Sequence, residues 1–260
     1  MYIITGYNGF IGKNFLDHTS INKKKIFKLK RNLIKLKKIN NKEVTIINFA
    51  ALYQKQSYSN DITKVINANL IYPAKILQTL IEQNNKVVFF NIASYFQLDE
   101  NFKYKSNIYS VIKNSLIKLL KFFKKKNNLS YYNIYLYDVF GHGDKRDKIF
   151  NAIINCYKKK KVLKIKNPNN LIAPVFITDV CKIIDEYIRD KKRANEIHIN
   201  NGKIISLKKL SLIAKSVLAD LEIIFLKNNS KDYLKIKKLK QYKIIKDLKN
   251  SLKDFFKQYV

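Results

Sequence analysis

The sequence predicts an α/β fold, a doubly wound parallel sheet with a smaller C-terminal lobe. Three observations carry the prediction. Half of the six glycines fall within the first twelve residues, in Thr5-Gly6-Tyr7-Asn8-Gly9-Phe10-Ile11-Gly12, directly after the apolar run Tyr2-Ile3-Ile4. Short apolar runs then alternate with longer stretches of helical periodicity, the pattern of strand-helix units in a parallel sheet. Finally, 47% hydrophobic content in a 260-residue chain supplies a sizeable core.

The elements follow in order. Residues 2–5 make a first strand, 11–19 a short helix and 26–29 a second strand. Residues 44–48 and 86–91 read as buried parallel strands flanking a helix near 61–83, and a long helix near 107–126 leads to a strand at 132–137. Only about fourteen residues separate the second strand from the third, so one strand-helix unit is reduced or missing. Beyond Gly141 come a helix near 147–159, strands near 162–166, 174–177 and 196–199, a helix from Ser206 and a Lys-rich tail ending in an amphipathic 248–259. Residues 1–140 are expected to form a dinucleotide-binding domain, with a strand at 174–178 returning to its sheet. Residues 141–260 are expected to form a smaller substrate-binding lobe.

The glycine segment reads as strand, tight turn and helix start. Gly6 serves the turn, Gly9 the close approach of backbone to a pyrophosphate, and Gly12 the packing of helix on sheet. Tyr7, Asn8, Phe10 and Ile11 complete this dinucleotide-binding loop. Asn48-Phe49-Ala50-Ala51 ends another strand with two small residues, which lets a cofactor's ribose and pyrophosphate come close at Ala50 and Ala51. Asn69, inside a helical stretch, either bonds back to the chain or holds a water at the site. No acidic residue lies between Asp17 and Glu43, where an NAD-selective fold places one for the ribose 2′-hydroxyl. That place holds Lys28, Lys30 and Arg31, and an Arg31 fork suits the 2′-phosphate of NADP. NADP(H) is the favoured cofactor and NAD(H) stays open.

Tyr109 and Lys113, four residues apart, share one helix face, where the ammonium favours the phenolate and readies the tyrosine for proton transfer. The spacing recurs at Tyr157/Lys161, Tyr187/Lys191, Tyr233/Lys237 and Tyr242/Lys246, so lysine abundance alone generates it. Context separates Tyr109, which opens the helix after the 86–91 strand and faces the carboxyl edge of the sheet. Ser94, following the same strand, is either a loop serine or a donor to a substrate carbonyl. His18, His142 and His198 are scattered, and Cys156 and Cys181 have no ligand spacing, so no metal site is expected.

The formal charge is +33, a balance that ordinarily points to nucleic acid or an anionic membrane. Here the lysine excess accompanies an excess of Asn, Ile, Tyr and Phe, all with A/T-rich codons, and the lysines are spread along the chain. A solvated surface is therefore expected, with no specific nucleic-acid partner. No run approaches the roughly 20 apolar residues of a membrane span, and no signal peptide is expected, because the dinucleotide loop begins at once without a basic-then-apolar layout before it. A cytoplasmic protein is the expectation, with a homodimer as one open assembly.

Together these pieces resemble the extended short-chain dehydrogenase/reductases, the NAD-dependent epimerase/dehydratase family of nucleotide-sugar enzymes. The resemblance adds Asp138-Val139-Phe140-Gly141-His142-Gly143-Asp144, similar to the family's N-V-Y-G-P-G-D, and Phe176-Ile177-Thr178-Asp179-Val180, similar to F-V-x-D-V. Residues 47–53, 69–77 and 91–96 look most like the branch of CDP-abequose and CDP-paratose synthases, which reduce the C4 ketone of a CDP-linked 3,6-dideoxyhexose with NADPH. The resemblance implies Tyr109 as general acid, Lys113 as its partner and ribose ligand, Ser94 as carbonyl donor, and Asp138 in the substrate site of a nucleotide sugar. In this sequence the family's catalytic Ser/Thr position is Ile92, its proline is His142, and its diphosphate-gripping arginine is Ile172. Lys164 or Lys166 is expected to replace that arginine. A 4-epimerase holding NAD and a non-catalytic dinucleotide-sensing or RNA-binding protein are the rival readings.

Overall fold

The computed structural model describes residues 1–30, 32–39, 42–53, 62–83, 86–99, 107–126, 128–226, 234 and 247–260. Two compact units divide them: Met1–Leu136 with Ile184–Ile197, and Tyr137–Ile183 with His198–Val260. In chain order the first elements are β1 (Tyr2–Thr5), α1 (Phe10–His18), β2 (Ile26–Leu29), β3 (Glu43–Asn48), α2 (Ile62–Ile66), α3 (Tyr72–Glu82), β4 (Lys86–Ser94), α4 (Ile108–Lys126) and β5 (Leu129–Leu136). There follow β6 (Asp138–Phe140), α5 (Ile149–Lys158), β7 (Leu163–Ile165), β8 (Leu171–Ile172), β9 (Pro174–Phe176), α6 (Ile177–Arg189) and β10 (Glu196–Ile199). The chain closes with β11 (Ile205–Ser206), α7 (Leu207–Lys215), β12 (Ile223–Phe225) and α8 (Leu248–Lys257).

Six strands form one sheet in the order β10-β5-β4-β3-β1-β2, and the pairs from β2 through β5 are all parallel. Because β1 is flanked by β2 on one side and β3 on the other, the winding reverses between β1 and β3, and their carboxyl ends border the crevice where such sheets bind ligands. Alternate strand residues Ile3, Val44, Ile46, Val87 and Phe89 share one face and pack with Ile76, Leu77 and Leu80 of α3 and Leu116 and Leu120 of α4. The reduced unit lies between β2 and β3, where a 3-10 turn at Ile34–Lys38 stands in place of a full helix. A π-helical turn at Asn67–Ile71 joins α2 to α3.

The strand expected to return to the main sheet at 174–178 does not do so. Residues Pro174–Phe176 pair in parallel with Asp138–Phe140 in a separate two-stranded sheet, and β10 takes the place beside β5. The physical reason lies in the residues: β10 offers the edge of β5 the buried run Ile197-His198-Ile199, while Pro174–Phe176 is engaged by Asp138–Phe140. In the second unit β7 also pairs with β12 and β8 with β11, around a core of Phe140, Phe150, Ile153, Leu210, Leu252 and Phe255. No described helix is long and apolar enough to cross a membrane.

Candidate active site

The turn after β1 is built by backbone crowding. Gly6 has φ +63°, and a Cβ there would lie 2.4 Å from the Ala50 nitrogen, so the left-handed turn and the close crossing of the segment after β3 both require glycine. A Cβ on Gly12 would lie 2.4 Å from the Gly6 carbonyl oxygen, so the first turn of α1 packs directly on the Gly6-Tyr7 turn. Gly9 is different: its ordinary extended backbone, φ −75° and ψ 165°, suits any residue, and a Cβ would meet only the Gly6 oxygen at 3.2 Å. The fold therefore demands Gly6 and Gly12, whereas at Gly9 a small shift of the Gly6 carbonyl would admit a methyl. Since no side chain caps α1 and no acid stands in its first turn, the N–H groups and the positive end of its dipole present an anion cradle. That cradle fits a dinucleotide pyrophosphate.

The facing segment after β3 is pinned by side chains. Thr5 donates to the Asn48 side-chain oxygen Oδ1 at 2.7 Å, and its hydroxyl accepts the Ala50 N–H at 3.2 Å. Asn69, buried at the centre of the π turn, accepts the Leu52 N–H at 3.2 Å and donates to the carbonyls of Leu52 and Val65, both at 2.9 Å. Both of its amide hydrogens are spent on backbone, so Asn69 shapes the loop that carries Ala50 and Ala51. Thr5, Asn48, Asn91 and Asn133 also lie in register across four strands, with Asn91 donating to Asn133 at 3.0 Å. Sequence reading did not find this buried polar row.

Tyr109 and Lys113 both lie buried on α4. The Lys113 Nζ donates to the Ile92 carbonyl at 2.6 Å and sits 5.6 Å from the Tyr109 ring centre. Burial lowers the Lys113 pKa to about 8. The ring of Tyr53 packs edge-on against Tyr109 at 5.4 Å and stacks with Phe96 at 6.0 Å, forming an aromatic wall beside the phenol. Ser94 is the last residue of β4, three residues beyond the expected end of the strand, and thus shares a strand face with Ile92. Its hydroxyl accepts the Phe96 N–H at 3.4 Å, an interaction that leaves the O–H itself as a donor.

Arg31, on which the NADP assignment leaned, lies outside the described residues, as do Tyr233, Lys237, Tyr242 and Lys246. Its neighbour Lys28 is exposed on β2 with Nζ 5.9 Å above the Tyr7 ring, which places a cation beside the glycine turn. In the second unit, Asp138 accepts the Ala173 N–H at 2.9 Å at the start of the β6-β9 pair. Lys164 and Lys166 are exposed, alternating with inward Leu163 and Ile165. Arg146 meets Asp144 as a fork, with 2.7 Å to each carboxylate oxygen. Among the described residues no group of three potential ligands could hold a metal.

Fold and glycine cradle define a dinucleotide-binding α/β protein of the Rossmann type. Residues 2–202 match the NAD dependent epimerase/dehydratase family. The chain is 28% identical over 203 residues to a CDP-abequose synthase of Yersinia pseudotuberculosis, covering 70% of this chain and 71% of that protein. A CDP-abequose synthase of Salmonella typhimurium is 24% identical over 233 residues, 79% of this chain and 77% of that one. Among solved structures, RMD from Pseudomonas aeruginosa complexed with NADPH superposes with a TM-score of 0.81 at 14% identity, over 99% of this chain and 98% of that one. UDP-glucuronic acid 4-epimerase from Bacillus cereus, in complex with UDP-glucuronic acid and NAD, gives 0.78 at 17% identity over 100% and 99%. The chain belongs to the NAD dependent epimerase/dehydratase family and is an NAD(P)-dependent enzyme of the short-chain dehydrogenase/reductase type.

Proposed function

We propose that the protein is an NADPH-dependent 4-ketoreductase of a nucleotide-linked deoxysugar, with a CDP-linked 4-keto-3,6-dideoxyhexose as the leading substrate, serving surface polysaccharide synthesis. One observation carries the catalytic part: a buried Lys113 ammonium held against the Ile92 carbonyl, beside Tyr109 and on the helix that follows Ser94. The likeness to two CDP-abequose synthases supports the substrate class. Gly6, Gly9, Gly12, Ala50 and Ala51 would hold the dinucleotide, with Lys28 and Arg31 toward its 2′-phosphate. When bound, NADPH supplies the hydride for C4. Tyr109 gives its phenolic proton to the developing alkoxide, Lys113 steadies the phenolate left behind, and Ser94 donates a hydrogen bond to the same oxygen.

The test is NADPH oxidation with a CDP-linked 4-keto-3,6-dideoxyhexose and a panel of CDP-, dTDP- and GDP-linked 4-keto-6-deoxysugars. Turnover with the CDP-linked substrate is expected, and inertness toward the whole panel overturns the reading. Tightly retained NAD together with interconversion of C4 epimers would put the 4-epimerase in its place.

A further inference from the structure

Two ties from α4 bracket Ser94. On one side Lys113 donates to the carbonyl of Ile92. On the other, the Gln97 side-chain amide accepts the Ser94 N–H at 2.8 Å and donates to the Asn114 side-chain oxygen Oδ1 at 3.0 Å, while the Asn114 amide donates to the Gln97 main-chain carbonyl at 3.4 Å. The orientations follow from chemistry. A main-chain N–H can only donate, so the Gln97 oxygen must face Ser94 and its nitrogen must face Asn114. Gln97 is buried at 5% exposure in a 3-10 turn at Tyr95–Leu98, where a reciprocal cap with Ser94 fixes the exit from β4.

We propose that Gln97 is the positioning residue that holds Ser94 in place against α4, with Asn114 as its anchor. The proposal rests on the reading of Ser94 as donor to the ketone oxygen. Neither amide touches the reacting atoms; each acts through Ser94. Without the bracket, the turn after β4 loses its tie to the helix carrying Tyr109 and Lys113, and the donor drifts relative to the acid.

The experiment uses Gln97→Leu and Asn114→Leu, each alone and combined with Ser94→Ala, and Asn114→Asp as the conservative variant. Turnover is read with NADPH and CDP-linked 4-keto-3,6-dideoxyhexose, and exchange of the Ser94 amide is read by mass spectrometry. Gln97→Leu should lower kcat about tenfold with little change in KM for NADPH, because misplacing a catalytic group by about 1 Å is costly. On the Ser94→Ala background the same change should cost less than about twofold, since coupled residues are not additive. Asn114→Asp keeps the acceptor and most of the rate, and the Ser94 amide exchanges faster only in the leucine variants. Equal losses on both backgrounds, or unchanged Ser94 exchange, overturn the proposal. Should Gln97→Leu fail to fold, Gln97→Glu keeps the acceptor for Ser94 but not the donor to Asn114, and an unchanged kcat there overturns it equally. Inertness of the unmodified protein sinks the reductase reading, whereas the exchange measurement still decides whether Gln97 holds Ser94.

Discussion

Lys113 is where chemistry and stability pull against each other. Burial brings its pKa down from 10.5 to about 8, so the folded protein binds the proton less tightly than the unfolded chain does. Stability therefore rises with pH across the window from about 8 to 10.5 and falls as pH drops through the folded value. At pH 7 the buried charge costs about 3 kcal/mol, against about 1.5–3 kcal/mol for the charged hydrogen bond to Ile92. Lys113→Met should stabilise the ligand-free protein by up to about 1.5 kcal/mol in urea titrations at pH 7 while abolishing turnover. A destabilised variant would mean that the ammonium is better solvated than its burial implies. By the same titration, kcat/KM for NADPH should decline above about pH 8 as the ammonium is lost. Tyr109→Phe keeps the ring against Tyr53 but removes the proton, and should cut turnover by about 10²–10⁴-fold with NADPH affinity barely changed. Tyr157→Phe, a chance match to the same spacing on α5, should leave the rate within about threefold, and full activity in Tyr109→Phe would refute the assignment.

At the scale of elements, the three glycines separate what the fold requires from what a ligand requires. Gly12→Ala places a methyl 2.4 Å from the Gly6 carbonyl, with only backbone to give way, so both stability and dinucleotide binding should fall. Gly9→Ala asks the Gly6 carbonyl oxygen, 3.2 Å away, to yield by a few tenths of an ångström, so melting should fall less than in Gly12→Ala while NADPH affinity drops by about tenfold or more, as calorimetry can tell. Equal affinity would mean that nothing approaches the loop there. This division was legible in the sequence, where the spacing gave Gly6 to the turn and Gly12 to the packing of α1; what it did not carry is that the Gly6 turn is crossed by the segment after β3 at Ala50. The buried strands were readable because their apolar runs are continuous, as in Val44, Ile46 and Ile47. The extension of β4 from Asn91 to Ser94 was not readable, since Ser94 looks like a loop residue until the register with β5 pairs it with Leu136. Asn69 sat in a helical pattern whose π turn leaves no periodic trace. Gln97 could have been found: Ser94-x-x-Gln97 is a capping-box spacing. The place of β10 in the main sheet had no local signal at all, because strand order is decided by tertiary pairing.

For the whole molecule the question is what a formal charge of +33 does. The three lysine runs at 23–25, 124–126 and 158–161 are all exposed, on a 3-10 turn, on the last turn of α4 and at the end of α5. Two of the three thus stand at helix carboxyl ends, where a cation is favoured by the unpaired carbonyls and needs no external anion to explain it. Solvated lysines of this kind still raise the local concentration of polyanions, but the effect falls away over a Debye length of about 8 Å at physiological salt. Binding of random-sequence RNA and duplex DNA, followed by fluorescence anisotropy, should accordingly be detectable at low ionic strength, indifferent to sequence, and lost near 0.15 M salt. Association of NADPH should slow over the same range while its dissociation rate barely moves, because long-range steering acts on encounter and the cradle at Gly6–Gly12 acts on residence. Tight, sequence-selective retention of nucleic acid at physiological salt would show that the lysines form a recognition surface, and a dissociation rate that climbs with salt as steeply as association falls would show that they hold the dinucleotide themselves.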